Sequence, residues 1–427
     1  MSAVAVAARA PLPTPWLDEP RIGEQAMVAA FVVSLFVGIN GGVLSLIDEA
    51  LFVGAFGLML LGGRPIRFSV LAASLPLVVS VFGALSSWLG LGWNTLATRN
   101  TIQLALFGAV IGLVAPLLRH PRQLRLFAVV LVWVGVVSAV VTFLQHQGVA
   151  PFFGTTGLNR VDGRLRGAGF LGHTIWQALV LPTAAAAVPF VVRRRNLAMA
   201  AFAVIAVGTW ATISRVGWVG LAAALALYVT LGPRAGDGRW RRALMLVTVG
   251  VTAISALMVF GNRDLVDETT QARIDETSSA IVRFGELGAE GLEQADDRTT
   301  TEGRIVLLNG ALESVAENWT LGVGFGWRFL DLGWRTGIFL SAHNTYVSML
   351  QLLGVIVGGG VLLGWAYHFR RAIRVTAFLP EARGPVAAMV TLAVGMLVVD
   401  TPTQMYFFAP WTIGVALGPW ARPAART

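Results

Sequence analysis

Apolar residues run through this chain in long blocks, separated by short gaps that carry arginine or turn-forming residues. A helix crossing a hydrocarbon core of ~30 Å needs about 20 residues at ~1.5 Å each. By that measure twelve apolar segments stand out: 25–41, 44–62, 68–89, 101–118, 125–143, 170–192, 197–213, 217–232, 243–260, 344–368, 385–399 and 404–420. The second begins beside Asp48 and Glu49, and the last two are short. The pattern predicts an all-α polytopic membrane protein with about twelve transmembrane helices. Composition agrees: 56% of the 427 residues are hydrophobic and 13% charged, against roughly 25% charged in soluble domains.

Charge adds an orientation. All 32 basic residues are arginine. With the N-terminus inside, five short inner loops hold Arg64 and Arg67; Arg119, Arg122 and Arg125; Arg193 to Arg195; Arg234, Arg239, Arg241 and Arg242; and Arg370, Arg371, Arg374 and Arg383. Every inner loop is basic, as the positive-inside rule requires. The net charge of +9 therefore reads as topology and not as nucleic-acid binding. Prolines and acidic residues interrupt the first 24 residues, so the first apolar segment is expected to remain as an anchor. Cysteine is absent, which excludes a disulfide frame, thiolate metal sites and a cysteine nucleophile.

Two outer segments are long, 144–169 and 261–343. The second holds fourteen acidic residues and seven arginines, too polar for lipid. The expected organisation is an N-terminal bundle of about nine helices over 1–260, an extracytoplasmic loop over 261–343, and about three C-terminal helices over 344–427. Within the loop, TTTEGRIVLLNGALESVAEN predicts an amphipathic helix. Thr299 and Glu302 fit a capping box, and Ile305, Leu308, Leu312 and Val315 fall on one face. The glycines of GVGFG (322–326) then break it.

Outer arginines run against the charge rule. Arg160, Arg164 and Arg166 crowd the loop GLNRVDGRLRGAGFLGH; they bind lipid headgroups or snorkel, or they form an anion site, because guanidinium forks match phosphate oxygens. Arg215 stands in the very short connection TISRVGWVG, where snorkelling and anion binding are again the two readings. Arg304 opens the amphipathic helix, as a surface charge or a further anion contact. The stretch FLSAHNTYVSMLQLLGVIVGGGVLL begins an apolar helix with His343 and Asn344. A histidine there is structural or, with an unperturbed pKa near 6.5, a usable base; Asn344 orients a ligand or caps the helix. Gly354 lies about three turns after His343, on the same face if both are helical, and Gly354 with Gly358 makes a small-xxx-small pattern.

These residues resemble the bacterial O-antigen ligases and O-antigen polymerases. The similarity spans roughly 155 to 365. TISRVGWVGL is similar to the family's TxSRxxxL, with Val219, four after Arg215, in place of its leucine. His343 and Gly354, with Asn344, match its histidine-and-glycine spacing. GRIVLLNGALESVAENWTLGVGFG resembles its arginine, amphipathic helix and Gly-x-Gly. RLRGAGFLGHTIWQALVLP resembles its arginine-glycine approach to a helix, although the usual Asn-x-Asn is Gly172-His173-Thr174 here. The resemblance implies a GT-C-like membrane glycosyltransferase in the bacterial inner membrane, with its site facing the periplasm or exterior. It implies transfer of a glycan from a polyprenyl-diphosphate carrier to a glycan, lipid or protein hydroxyl, without a cofactor or metal. His343 would be the base, Arg160, Arg164, Arg166, Arg215 and Arg304 the diphosphate contacts, and Arg215 would also serve catalysis. Ligase, polymerase and protein-glycosylating members differ in acceptor. A transporter or flippase is the alternative of another class; it predicts related halves and midplane charges, whereas the charges here cluster at one face.

Overall fold

The computed structural model of the chain describes residues 19–37, 43–63, 65–89, 95–153, 160–161, 164–231, 301–325, 344–399 and 403–421. Twelve α-helices lie among them: α1 (Ile22–Ser34), α2 (Val43–Leu61), α3 (Val70–Leu89), α4 (Thr95–Leu117), α5 (Pro121–His146), α6 (Thr174–Val191), α7 (Arg195–Ala211), α8 (Arg215–Leu231), α9 (Thr301–Glu317), α10 (Thr345–Val375), α11 (Arg383–Gly395) and α12 (Met405–Leu417). Eleven of the apolar segments coincide with α1–α8 and α10–α12, and α9 is the expected amphipathic helix. The segment 243–260, Thr299, most of 261–343 and His343 lie outside the described residues. The fold departs from all-α at one small place, an antiparallel ladder of β1 (Arg160–Val161) and β2 (Arg164–Leu165).

Among the described residues, five helices are long and apolar enough to cross a membrane: Val70–Leu89, Ala97–Leu117, Pro121–His146, Thr174–Val191 and Thr345–Val375. Shorter apolar helices cover Ile22–Ser34, Glu49–Leu61, Arg195–Ala211 and Val216–Leu227. The all-helical build and these helices fit a polytopic membrane protein. Large apolar side chains stand exposed on the outside, among them Val81 (62%), Leu106 (62%) and Leu363 (74%). In water such a surface is unfavourable; against lipid it costs nothing. The last two apolar segments differ from the simple expectation. α11 and α12 have 13 residues each, about 20 Å of helix. Every residue of α12 from Met405 to Leu417 is buried, so its apolar character serves packing inside the protein. Trp411 of α12 donates its indole N–H to the Ala72 carbonyl of α3 at 2.8 Å, and Trp365 of α10 donates to the Phe407 carbonyl at 3.0 Å.

At the centre, α6 packs against α5, α7, α8 and α11. Small residues let the backbones meet. A side chain on Gly135 of α5 would strike Ala184 of α6, one on Gly208 of α7 would strike Ala139 of α5, and one on Gly220 of α8 would strike Pro182 of α6. Lipid supplies no hydrophobic drive between helices, so close packing of this kind carries their association.

Helix α10 is longer than expected, at 31 residues, and it is broken. Gly354 has φ 74° and ψ 170°, outside the helical region. Gly354 is therefore not helical, and the helical face expected to join it to His343 has no support at Gly354; His343 itself lies outside the described residues. The small-xxx-small expectation also changes: Gly354 meets the backbone of Thr320 and Gly322, and Gly358 meets the carbonyl of Met349 from its own helix. The break admits the loop after α9. The Val355 amide donates to the Trp319 carbonyl at 2.6 Å, and the Val323 amide donates to the Gln351 carbonyl at 2.9 Å. The kink thus releases backbone groups that the incoming loop satisfies, as a break inside a membrane helix requires. The expected apolar face of α9 is also shifted. Ala311 and Val315 are buried, whereas Leu312 is 46% exposed.

Candidate functional site

The loop before α6 is built around two buried glutamines. Gln145, near the end of α5, accepts hydrogen bonds at Oε1 from the amides of Ala168 (2.9 Å) and Gly169 (2.8 Å). Its Nε2 donates to the Pro151 carbonyl at 2.9 Å. One side-chain amide therefore holds both ends of the loop. Gln177 of α6 donates from Nε2 to Ser138 Oγ (2.7 Å) and Thr142 Oγ1 (3.1 Å) of α5. Gly169 lies at φ 55° against the Gln177 side chain, and Gly167 lies against the Thr142 backbone. These glycines are needed because a side chain at either would displace the loop from α5 and α6. His146 closes the arrangement, its Nδ1 donating to the Leu165 carbonyl at 2.6 Å and its ring meeting Trp210 edge-on.

The same loop grips the turn between α7 and α8. Arg166 donates from Nε to the Thr212 carbonyl at 2.9 Å, and the Gly167 amide donates to the Ala211 carbonyl at 2.9 Å. The next residue, Ile213, has φ 48°. A β-branched residue at positive φ is a genuine outlier, held only where surrounding contacts over-determine it. Two residues later Arg215 begins α8. The two arginine-bearing connections are thus stitched together through the backbone. The side chains of Arg160, Arg164 and Arg215 lie outside the described residues. Arg160 and Arg164 stand on the β-ladder, where Arg160 pairs with Leu165 and Val161 with Arg164.

The start of α10 lies at this same end. Gly395, at the end of α11, abuts Leu179 near the start of α6, whereas Gly384 abuts Phe190 and Val191 near its end. α11 therefore runs antiparallel to α6. The Thr345 amide donates to the Met396 carbonyl at 3.0 Å, and its hydroxyl donates to the Val399 carbonyl at 2.5 Å. The Asn344 side chain makes three hydrogen bonds: Oδ1 accepts from the amides of Tyr346 (3.0 Å) and Val347 (3.1 Å), and Nδ2 donates to the Leu397 carbonyl at 3.1 Å. That is the capping arrangement. His343 directly precedes it in the chain and lies outside the described residues. Arg304 is the fourth residue of α9, and its side chain is likewise outside them.

Among the described side chains, Arg166 brings a positive charge close to His173. His173, one residue before α6, stacks on Trp176 with ring centroids 4.5 Å apart. Burial, and then the charge of Arg166, hold its pKa at about 4 in place of 6.5. Its Nδ1 and the Thr174 hydroxyl are buried and hydrogen-bonded to no protein group. Gln145 and Gln177 belong to none of the motifs in the sequence, and His173 enters only as the middle of the departure from Asn-x-Asn. The signal the sequence holds for them is polarity: each is a hydrogen-bonding side chain in or beside a long apolar run.

Comparison with known proteins covers part of the chain. Residues 200–362 match the family model described as O-antigen ligase, a stretch that contains Arg215, Arg304, His343, Asn344 and Gly354 and leaves the Arg160–Arg166 loop ahead of it. No curated protein matches the chain. Over residues 200–362, the chain is similar to the O-antigen ligase family.

Proposed function

We propose that this protein transfers a glycan from a polyprenyl-diphosphate carrier to an acceptor hydroxyl at the outer face of the bacterial inner membrane. The family match supports a glycan transferase of the ligase or polymerase type. The observation that carries the finer reading is the convergence of α6, α8 and α10 at one end of the bundle. Arg166 joins the first two through the Thr212 carbonyl, and the Met396–Thr345 link pins the third.

The reaction forms a bond between the acceptor oxygen and the anomeric carbon. The bond from that carbon to the diphosphate oxygen breaks, and the diphosphate leaves with the electron pair. The acceptor proton goes to His343. Guanidinium groups at this end, with Arg215 and the Arg160–Arg166 set as the contacts, neutralise charge as it develops on the leaving group. Arg304 is the further diphosphate contact. His173 is a poor base because its pKa lies near 4; the base in this proposal is His343, on the family's histidine-and-glycine spacing. The carrier's tail stays in lipid while its head group and the acceptor meet at the membrane edge. The GT-C-like architecture, the twelve-span count and the outward orientation belong to this proposal, and the arginine asymmetry of the loops supports the orientation.

The test is transfer by the purified protein in lipid nanodiscs, supplied with a polyprenyl-diphosphate oligosaccharide. Glycan transfer to an added acceptor supports ligation, and chain growth with donor alone supports polymerisation. Release of no diphosphate-linked carrier under either condition contradicts the proposal.

A further inference from the structure

At the opposite end of α5, a cavity of about 280 Å³ opens between the starts of α1 and α5 and the ends of α2 and α4. Arg21, Arg67, His120 and Gln123 line it, with Glu24 as the one acidic member. Gln123 is 1% exposed, and both its Nε2 and Oε1 are buried and hydrogen-bonded to no protein group. A buried amide in that condition destabilises the fold unless a partner arrives. The His120 Nδ1 accepts from the Arg122 amide at 3.1 Å, so its remaining ring nitrogen is the donor. The first turn of α5, a helix of 26 residues, also faces the cavity, and a helix N-terminus favours negative charge.

The charge here is poorly balanced. Arg119, just before His120, is held below the usual arginine range by burial and then by Arg67. Glu19, the nearby acid that sequence offers, is spent on Arg122. Glu24 accepts from the backbone amide of Arg21 at 3.0 Å. The cavity thus gathers cationic side chains around a buried amide that can donate to an anionic oxygen.

We propose that this cavity binds a phosphate group, carried by an anionic phospholipid or free in solution. The site is independent of glycan transfer: it lies a full length of α5 from the arginine-bearing loops. The Arg21 and Arg67 side chains are exposed and close over the phosphate oxygens, while Gln123 Nε2 donates from below.

The full-length protein would be placed in phosphatidylcholine nanodiscs, in nanodiscs containing phosphatidylglycerol, and in phosphatidylcholine nanodiscs with inorganic phosphate. Apparent Tm is then compared for wild type, Arg67→Ala, Gln123→Leu and Arg374→Ala. Arg374 is exposed at the same end and does not line the cavity, so it controls for net charge. The expected result is a rise of a few degrees with phosphatidylglycerol or with phosphate, largely lost in Arg67→Ala and Gln123→Leu and kept in Arg374→Ala. Stabilisation by phosphatidylglycerol alone identifies a lipid headgroup; stabilisation by inorganic phosphate identifies a soluble ligand. No shift under either condition, or an equal loss in Arg374→Ala, overturns the proposal. Gln123→Leu keeps the test open if Arg67→Ala folds poorly, because it removes an unpartnered amide and leaves the packing volume.

Discussion

Arg166 reaches across 46 residues of sequence to donate its Nε hydrogen to the Thr212 carbonyl. The bond lies next to Ile213, whose positive φ sets the direction in which α8 starts. A charged donor on a partly buried carbonyl contributes roughly 1.5–3 kcal/mol. Arg166→Ala is therefore expected to lower Tm by a few degrees and to weaken donor use together. Arg166→Lys keeps a charge but lacks the Nε geometry, so it should recover little of either. Thermal unfolding and donor KM, measured on the same preparations, check this; an unchanged Tm with Arg166→Ala would detach the loop from the turn.

Gly354 and Gly359 give opposite expectations on one helix. Gly354 sits at φ 74° with the Thr320 carbonyl and the Gly322 amide against its open side. Gly354→Ala should destabilise by at least ~1–3 kcal/mol, and transfer should fall with it. Gly359 has open space around it within α10, so Gly359→Ala should be neutral or stabilise by about 0.5–1 kcal/mol. Unfolding midpoints for the pair settle the point, and similar midpoints would mean that the break at Gly354 is not required.

Asn344 combines a cap with a tie to Leu397. Asn344→Ala should cost ~1 kcal/mol or somewhat more. Asn344→Asp keeps the capping oxygen but sets a carboxylate oxygen against the Leu397 carbonyl, so it should keep the cap and lose the tie, with a stability below wild type. If Asn344→Ala instead leaves Tm unchanged and raises donor or acceptor KM, the side chain is acting on substrate.

The low pKa of His173 has a consequence for acid stability. Folded, the ring stays neutral down to about pH 4. Unfolded, it takes up a proton near 6.5. Between those values the unfolded chain binds the additional proton, so acidification destabilises the fold. The loss is absent above pH ~6.5, grows as pH falls and levels off below ~4, at no more than roughly 3 kcal/mol. His173→Asn should show a smaller drop in Tm between pH 7.5 and 4.5 than wild type. An identical drop would mean that His173 does not carry this acid sensitivity.

Helix positions were legible because membrane helices advertise themselves as long apolar runs. What the runs do not record is who covers them. Met405–Leu417 reads like a short lipid-facing span, yet every residue in it is buried; a helix apolar on all sides is equally at home in protein or in lipid. The Gly-x-Gly at Gly322 and Gly324 was readable as a helix breaker, but not as the wedge that enters α10 at Gly354. That contact depends on Thr320 and Gln351, distant in composition and in sequence signal. Leu312 fitted an apolar stripe by periodicity, and it is half exposed because α9 turns Ala311 and Val315 inward. At the site, the arginines stood out by breaking the charge rule. The glutamines that position the loop did not, because one amide in an apolar run has no periodicity to betray it.

Arg215 is expected to act through its fork. Arg215→Ala should weaken donor use strongly with the fold intact. Arg215→Lys should restore little, since a point charge does not reproduce bidentate phosphate contact. Near-normal turnover with lysine would contradict bidentate recognition at this position.

The central claim is that His343 takes the acceptor's proton at the end of the bundle where α6, α8 and α10 begin. Its most direct test is the transfer rate and donor affinity of wild type and His343→Ala, each measured from pH 5 to 8. The expected result is a loss of ~10²-fold or more in rate with donor affinity little changed, and a wild-type rate that falls toward the acid end of that range as the base is protonated. A His343→Ala protein with the wild-type rate and pH profile would contradict it.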